Sequence, residues 1–473
     1  MGPSQDARGP LGSTESDDLV VNGTSLRQAL AWVVDAKIFD NLTLHGNTKW
    51  LPVDLVVLAI LWVWSDQSTL TAAFAEARRW AASLFGRVAI HSYQGLTSAL
   101  ATWTAQLLPL LWQRFQQCLQ ECSPEHARVG RWLALAVDGS RVSTPRTRAN
   151  EQAFCAPRYG HGKTAKARKK KRKGRKRRRA AEPVKPQIWT TLLWHMGLRL
   201  PWRWHNGPSH SSERDHFRQL LQAQKFPADT LFCADAGFVG YDLWKAIQDA
   251  GQSFLIRVGA NVRLLRELGY VQEHDGVVYC WPDKAAKKRL PPLVLRLWRC
   301  QVGRCPMSLL TNVLDEAHLS AAQAAELYRL RWGIELQFRT LKQTFGRRKL
   351  RSKTPERALV ELDWSWLGLA LIQLFAVKER LALGEPPGRG GVALAIRIIR
   401  GLFAGHSEGS EPGVDLSARL REAATDSYQR KKSKKARYRP AYKDKPAAGE
   451  PKIITAGCKH HDLLQKFLAQ AAR

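Results

Sequence analysis

Three acidic residues in this sequence of 473 residues have the type and placement that ligand chemistry requires. Asp138 closes the apolar run of RWLALAVDGS, Asp235 closes that of TLFCADAGF, and Glu335 lies in a segment with helical periodicity. Each predicted strand is apolar up to its acid, so both aspartates are expected at strand ends, where open α/β sheets place their ligands. For Asp138 the alternative is an ordinary Asp-Gly turn.

The third acid belongs to the segment ELYRLRWGIELQFRTLKQTFG, residues 326 to 346. At about 100° per residue of a helix, Tyr328, Arg331, Glu335 and Lys342 fall within an arc of about 60°. The adjoining arc is apolar and comprises Leu330, Ile334, Phe338, Leu341 and Phe345. The periodicity predicts a packed helix with a polar stripe beside its buried face. A surface Arg331–Glu335 pair, worth only ~0.5 kcal/mol, explains the stripe equally well.

The spacing Tyr-x2-Arg-x3-Glu-x6-Lys resembles the signature of the DDE transposases of insertion sequence family 4, with a match at all four positions. The order of motifs is similar too: DGS, DAGF, a β-rich insertion, LLTN and the signature helix. The resemblance covers about residues 130 to 380. It implies an α/β fold, with an RNase H-like mixed sheet flanked by helices.

The resemblance also implies that the three acids bind two divalent ions, normally Mg²⁺, for which Mn²⁺ substitutes. Hard oxygen ligands suit Mg²⁺, and two ions about 4 Å apart can activate the attacking oxygen and stabilise the leaving one. Asp138 would bridge the ions, while Asp235 and Glu335 would each complete one shell. Tyr328, Arg331 and Lys342 would hold a phosphate of the transposon end.

The implied reaction is cut-and-paste transposition. Hydrolysis frees a 3′-hydroxyl, which attacks the opposite strand to form a hairpin end and, after hairpin opening, joins target DNA. In some members of this family a Trp before the LLT strand stacks in the gap left by a flipped base. Here that position is Met307, so Trp298 or another group takes its place, or the ends are processed differently.

Two other functions stay open at this point. The first is a DNA-binding protein of transposase descent without catalysis, for which loss of an acid would be expected; none of the three is lost. The second is a metal-dependent nuclease without strand transfer, which would not need the Tyr, Arg and Lys of the stripe.

The charge balance predicts a polyanionic partner. Lys and Arg number 74 against 41 Asp and Glu, a net charge of +33, so we expect salt-sensitive binding to double-stranded DNA, both terminal inverted repeats and target. The run KKKRKGRKRRR, residues 169–179, predicts a DNA-binding arm inside an insertion at 160–186; a solvated tail or a nuclear-type address is the alternative. The basic residues of this arm are Lys169, Lys170, Lys171, Arg172, Lys173, Arg175, Lys176, Arg177, Arg178 and Arg179.

The elements that must position these residues follow from the patterning. We expect a flexible tail (1–20), a helical N-terminal domain for DNA binding or assembly (21–130), and an RNase H-like core in two parts (131–259 and 308–385). A β-rich insertion (260–307) separates the two parts, and a C-terminal region (386–473) carries a basic linker and a short terminal helix.

Localisation is predicted from what the sequence lacks. The start is polar rather than a secretory signal, and the apolar runs at 55–64 and 366–377 are shorter than the ~20 residues that span a bilayer. Eight scattered cysteines fit a reducing compartment. We therefore expect a bacterial cytoplasmic, nucleoid-associated protein without membrane contact, which dimerises on DNA to cut two ends together.

Overall fold

The structure, a computed structural model, describes residues 25–86, 88–122, 125–155, 185–302, 305–404, 416–424 and 449–471. The predicted basic arm at 169–179 lies outside these residues, as do the N-terminal tail at 1–20 and a second basic run at 430–439.

The N-terminal region is helical, as the apolar spacing predicts. Its helices are α1 (Leu26–Val33), α2 (Pro52–Trp64), α3 (Leu70–Phe85) and α4 (Tyr93–Cys122). Ser25 caps α1 through a reciprocal capping box with Gln28, and the left-handed Gly86 ends α3. Because α2 is apolar on nearly every side and almost wholly buried, it belongs to the centre of the molecule.

The core predicted at 131–259 begins with three antiparallel strands, followed by helix, strand, helix and strand. The strands are β1 (Leu133–Ser143), β2 (Gln187–His195), β3 (Leu200–Pro208), β4 (Thr230–Ala234) and β5 (Ser253–Val258). The helices are α5 (Arg148–Phe154), α6 (Glu213–Gln222) and α7 (Tyr241–Asp249). Ser212 occupies the N-cap of α6, but its side chain accepts no capping hydrogen bond.

The β-rich insertion continues the same sheet rather than forming a separate one. Its elements are β6 (Arg263–Arg266), β7 (Val277–Cys280), α8 (Asp283–Lys287), β8 (Leu293–Val302) and β9 (Cys305–Thr311). A strand from the C-terminal region, β10 (Lys452–Thr455), pairs in parallel with β6. Across the described residues the sheet runs β10-β6-β7-β8-β9-β5-β4-β1-β2-β3. This is the mixed, RNase H-like sheet that the family resemblance implies, extended on one side.

The signature segment is not the single helix that the periodicity predicts. It consists of α9 (Ala321–Leu330), α10 (Gly333–Arg339) and a π-helical turn at Thr340–Thr344. Directly after the break at Arg331–Trp332, a methyl group at Gly333 would lie 2.0 Å from the Trp194 ring of β2. Only a residue without a side chain lets the chain cross the sheet that closely.

The longest core helix, α11 (Pro355–Ala382), joins the N-terminal helices, the sheet and the signature segment. The Trp64 indole donates to the Gly368 carbonyl at 2.8 Å, the Trp366 indole donates to Thr190 at 3.2 Å, and Gln373 exchanges hydrogen bonds with Gln337 of α10. The predicted buried run at 366–377 is therefore part of a helix of 28 residues. That helix is long and apolar enough to cross a membrane, but 94% of its most apolar window is buried inside the protein.

Among the described residues of the C-terminal region there are three further helices: α12 (Val392–Ala404), α13 (Leu416–Glu422) and α14 (Cys458–Ala471). The ring of Phe467 in α14 contacts Tyr270 of the insertion edge-on, with centroids 6.1 Å apart. The short terminal helix thus packs against the insertion together with β10.

Candidate active site

Asp138 and Asp235 are brought side by side by the register of two parallel strands. The pairing of β1 with β4 ends at Val137 and Ala234, and each aspartate is the next residue. Neighbouring strands are about 4.8 Å apart, so the two carboxylates share one edge of the sheet.

Asp138 does not end its strand, which corrects both sequence-based readings of this position. On its other side β1 stays paired with β2 from Asp138 to Ser143, so Asp138 is neither a strand end nor part of an Asp-Gly turn. The acid projects where one neighbour, β4, stops and the other, β2, continues. Because pairing ends on one side only, the side facing β4 has space for a ligand while β1 stays paired with β2.

Two glycines keep the space between these acids open. A methyl group built at Gly139 would come within 2.5 Å of both the Glu213 carboxylate and the Trp189 indole nitrogen. One built at Gly237 would lie 2.9 Å from Oδ1 of Asp235. Their backbone N–H groups donate to the two aspartates, Gly139 to Asp138 and Gly237 to Asp235, each at 2.8 Å. The glycines of DGS and DAGF therefore both make room and orient the carboxylates.

The third predicted acid, Glu335, enters from the first turn of α10. It forms an ion pair with Arg331 at 3.2 Å; the Glu335 side chain is 36% exposed and that of Arg331 is 9% exposed. This pair is the ordinary alternative considered from the sequence, but the arginine is buried rather than on the surface. Its Nε has no hydrogen-bond partner among the described residues. A buried guanidinium with an unused donor is suited to receive an anion.

The remaining residues of the signature also converge on this place. Tyr328 is buried, with the Arg331 guanidinium 5.3 Å from its ring centroid. Nζ of Lys342 donates to Oγ of Ser140 at 2.5 Å, two residues beyond Asp138. The π-helical turn contains Lys342, and such turns recur at functional sites. All four signature residues thus reach one site, although the regular-helix geometry used to predict this does not hold.

The electrostatics of the site tie the three acids together. The pKa of Asp138 is raised to about 6, chiefly by burial and further by the charges of Asp235 and Glu335, against the Gly139 hydrogen bond and Arg331. Burial lowers the pKa of Lys342, while the nearby Asp138 opposes that change. The three acids therefore interact electrostatically, and Lys342 lies partly desolvated near Asp138.

Sequence reasoning missed Glu213, the first residue of α6. Its carboxylate lies against Gly139 and 3.7 Å from a methyl group built at Gly237, between the two aspartate loops. Burial raises its pKa to about 7, with further contributions from Asp138 and Asp235. The helix start after β3 could have drawn notice, but nothing local in SSERDHF indicates which of its acids faces the site.

Sequence reasoning also missed Trp332, which stands inside the signature itself. Its side chain is 57% exposed, and Leu336, one turn on, is 43% exposed. Trp298, the substitute considered for Met307, is half-buried, and the Arg296 guanidinium lies 4.9 Å from its ring centroid. An exposed aromatic side chain, that of Trp332, thus stands three residues before Glu335 in the signature segment.

A divalent ion fits this place by donor chemistry rather than by a closed cage. Within the described part of the chain, no group of three or more His, Cys, Asp or Glu side chains converges as a ready-made metal site. The available donors are carboxylate oxygens, partly buried and mutually repelling, the ligands that Mg²⁺ and Mn²⁺ prefer. Glu335 is meanwhile paired with Arg331.

Comparison with known proteins agrees with this geometry. Residues 133–369, half of the chain, match the family model of the transposase DDE domain. The transposase InsG for insertion sequence element IS4 of Escherichia coli (strain K12) is 28% identical over 255 residues, which is 52% of each chain. The putative transposase y4zB of Sinorhizobium fredii (strain NBRC 101917 / NGR234) is 28% identical over 154 residues, 32% of this chain and 43% of that protein. The chain thus spans about half the length, or less, of these curated relatives.

Among solved structures, a piggyBac transposase synaptic complex with hairpin DNA shows a distant likeness. It covers 84% of this chain and 82% of that one, with a TM-score of 0.38 and 12% identity. The family assignment depends instead on the match over half of the chain, which includes Asp138, Asp235 and the whole signature segment. The chain belongs to the DDE transposases of the IS4 type.

Proposed function

We propose that this protein is a DNA transposase that cuts the ends of its insertion sequence and joins them to target DNA. The observation that supports this best is the site itself: two aspartates aligned on adjacent parallel strands, with Glu335 and a buried Arg331 over them. Asp138, Asp235 and Glu335 would hold two Mg²⁺ ions, or Mn²⁺ in their place, through their carboxylate oxygens. When bound, the ions supply Lewis acidity to the attacking and leaving oxygens.

The residues of this chain then have distinct tasks in the hydrolytic step. Water attacks the scissile phosphorus, the bond to the 3′-oxygen breaks, and the 3′-hydroxyl is released. Arg331 offers its unused Nε–H, and Lys342 its ammonium beside Ser140, to oxygens of the DNA phosphate. Tyr328 supports the guanidinium from its ring face. In strand transfer the freed 3′-hydroxyl takes the place of water.

Cations around the acids favour a nucleic-acid backbone over a neutral substrate. Arg141 and Arg214 act on Glu213, Arg257 acts on Tyr328, and Arg348 acts on Lys342. Arg141, Arg214 and Arg348 are exposed, so this rim can neutralise phosphates that flank the scissile bond.

Trp332 offers a way to carry out hairpin formation without the Trp that some family members have at the position of Met307. Its exposed ring beside Glu335 can stack on an unpaired base, a contact worth about 1–3 kcal/mol. We therefore keep the hairpin route in the proposal, with Trp332 rather than Trp298 as the stacking group.

The proposed partners follow from the reaction. Two transposon ends must be cut together, so we propose a homodimer on terminal inverted repeats and target DNA, at the bacterial nucleoid. The basic arm at 169–179 would bind DNA near the site, and the helical N-terminal region would serve end binding or assembly.

The test uses the purified full-length chain, DNA that carries the element's own genomic ends, and Mg²⁺. Nicking at the ends followed by joining to a plasmid, both lost in Glu335→Gln, is the expected result. Binding to ends without any cleavage would instead favour the catalytically silent alternative. Cleavage without joining would favour the nuclease.

A further inference from the structure

Glu213 is a carboxylate placed between the two aspartates of the site. Its Oε1 lies within 2.5 Å of a methyl group built at Gly139, and its Oε2 within 3.7 Å of one built at Gly237. Gly139 directly follows Asp138, and Gly237 comes two residues after Asp235. The Glu213 carboxylate therefore fills the gap between the DGS strand and the DAGF loop.

The chain beside Glu213 is fixed by a hydrogen bond of its neighbour Arg214. Nε of Arg214 donates to the Gly237 carbonyl at 2.9 Å, which ties the start of α6 to the Asp235 loop. The indole nitrogen of Trp189, on the other side of Gly139, is buried without a hydrogen-bond partner. The hydrogen bond of Arg214 therefore holds the backbone that carries Glu213 next to the Asp235 loop.

This placement calls for a cation. Among the described residues, the Glu213 carboxylate has no ion pair within 4 Å and accepts no hydrogen bond, while Arg141 and Arg214 act on it from farther away. The Arg331 side chain is 9% exposed, and its Nε has no hydrogen-bond partner among the described residues. Carboxylates brought together in a partly buried place repel one another unless positive charge enters between them.

We propose that Glu213 is a fourth carboxylate of the active site and contributes an oxygen donor to the divalent cation held between Asp138 and Asp235. The inference rests on the proposed function, because it assumes that the site holds such a cation. It adds a ligand from a helix that lies outside the family's three-acid motif.

The chain contains a matched control. Asp215 lies in the same first turn of α6, but its side chain is 60% exposed and pairs with Arg218 at 2.9 Å. Glu213→Gln and Asp215→Asn each neutralise one carboxylate of this turn, and only the first should alter cation binding.

The experiment measures Mn²⁺ binding by electron paramagnetic resonance with the full-length, DNA-free protein. We expect Glu213→Gln to weaken Mn²⁺ binding about tenfold and to move the Mg²⁺ concentration for half-maximal end cleavage upward at least fivefold. We expect Asp215→Asn to stay within twofold of the wild type in both. Thermal melts in EDTA check that each variant is folded. Glu213→Asp keeps the negative charge on a shorter side chain, so its Mn²⁺ affinity should lie between those of the wild type and Glu213→Gln.

The outcomes separate this inference from the proposed function. Unchanged Mn²⁺ binding in Glu213→Gln, with weakened binding in Asp138→Asn, overturns the role of Glu213 and leaves the three-acid site standing. A wild type that neither binds Mn²⁺ nor cleaves its ends overturns both.

Discussion

Arg331 contacts two other residues of the signature, Glu335 and Tyr328. It is buried, lies over Tyr328, pairs with Glu335 and keeps one donor unused. A guanidinium has five N–H donors in a fixed fork, so it can hold Glu335 and a phosphate in defined geometry. A lysine in its place would keep the charge and lose the fork.

We expect Arg331→Lys to lower single-turnover cleavage at saturating DNA at least tenfold, because a lysine lacks the planar fork that holds Glu335 and a phosphate at the same time. The matched control is Arg329→Lys, since Arg329 is exposed and pairs with Glu326 in the adjoining turn. Equal cleavage by the two variants would contradict a phosphate-binding role for Arg331.

The raised pKa of Asp138 predicts a pH-dependent cost to the fold. Its pKa rises from 3.8 to about 6, so the folded state favours the protonated acid. This relative stabilisation is complete below about pH 4 and is lost as the pH rises through about 6. At neutral pH without metal, the ionised carboxylate then costs roughly 2–3 kcal/mol.

Asp138→Asn should therefore raise the melting temperature in EDTA at pH 8 and leave it nearly unchanged at pH 4. Circular dichroism melts across this range measure the difference. An increase in melting temperature that is equal at pH 8 and pH 4 would show that the effect of Asp138→Asn comes from packing and not from the charge of Asp138.

Trp332 carries a prediction that separates DNA contact from stability. Because its side chain is 57% exposed, Trp332→Ala should leave the melting temperature within a few degrees of the wild type. Loss of base stacking, worth about 1–3 kcal/mol, should slow hairpin formation. Fluorescence of 2-aminopurine placed at the terminal bases reports the unstacked base, and Leu336→Ala serves as the exposed apolar control.

At the level of elements, the break between α9 and α10 sets where Glu335 points. Gly333 lets the chain pass the Trp194 ring, and Ile334 and Phe338 then pack inward. Phe338 contacts Trp366 of α11 edge-on at 5.8 Å, so the position of α10 is fixed from both sides.

We expect Gly333→Ala to lower stability by about 1–3 kcal/mol, since the added methyl group overpacks the contact with Trp194, and to reduce cleavage by displacing Glu335. Gly401→Ala is the control: a methyl group there meets nothing within 4 Å, and in helix α12 it should stabilise by up to about 1 kcal/mol. Thermal melts and end cleavage compare the two. Wild-type activity in Gly333→Ala would show that the break does not position Glu335.

The same elements show how far local sequence can predict this site. The strand patterns placed Asp138 and Asp235 at one edge of the sheet, because apolar runs that end in an acid are visible along the chain. The break before Gly333 and its close contact with Trp194 were not predicted, since Trp194 lies more than a hundred residues away in the sequence. Glu213 was not predicted as a site residue for the same reason. Its neighbours belong to β1 and the Asp235 loop, and the sequence pattern of α6 does not indicate these contacts.

At the level of the whole molecule, the net charge of +33 should govern DNA affinity. Each phosphate neutralised on B-DNA adds about 0.9 to the slope of log affinity against log salt. The basic arm at 169–179 holds ten basic residues within eleven positions, so its removal should flatten that slope.

Deleting residues 163–179 tests this through binding of end DNA across a salt series. A second variant, in which the same stretch is replaced by Gly and Ser at equal length, controls for chain connectivity. We expect the slope to become shallower by several units in both variants. An unchanged slope would remove the arm from the DNA-binding surface.

The continuous sheet has a mechanical consequence. Strand β9 pairs with β5 on one side and with β8 on the other. The insertion is therefore joined to the core by backbone hydrogen bonds of a continuous sheet and not by a flexible linker alone. Strand β10, from the C-terminal region, extends the insertion at its outer side and lies five strands from β5, about 24 Å at roughly 4.8 Å per strand. A force applied at β10 would therefore reach β5 through paired strands, and β5 adjoins β4, the strand that leads to Asp235.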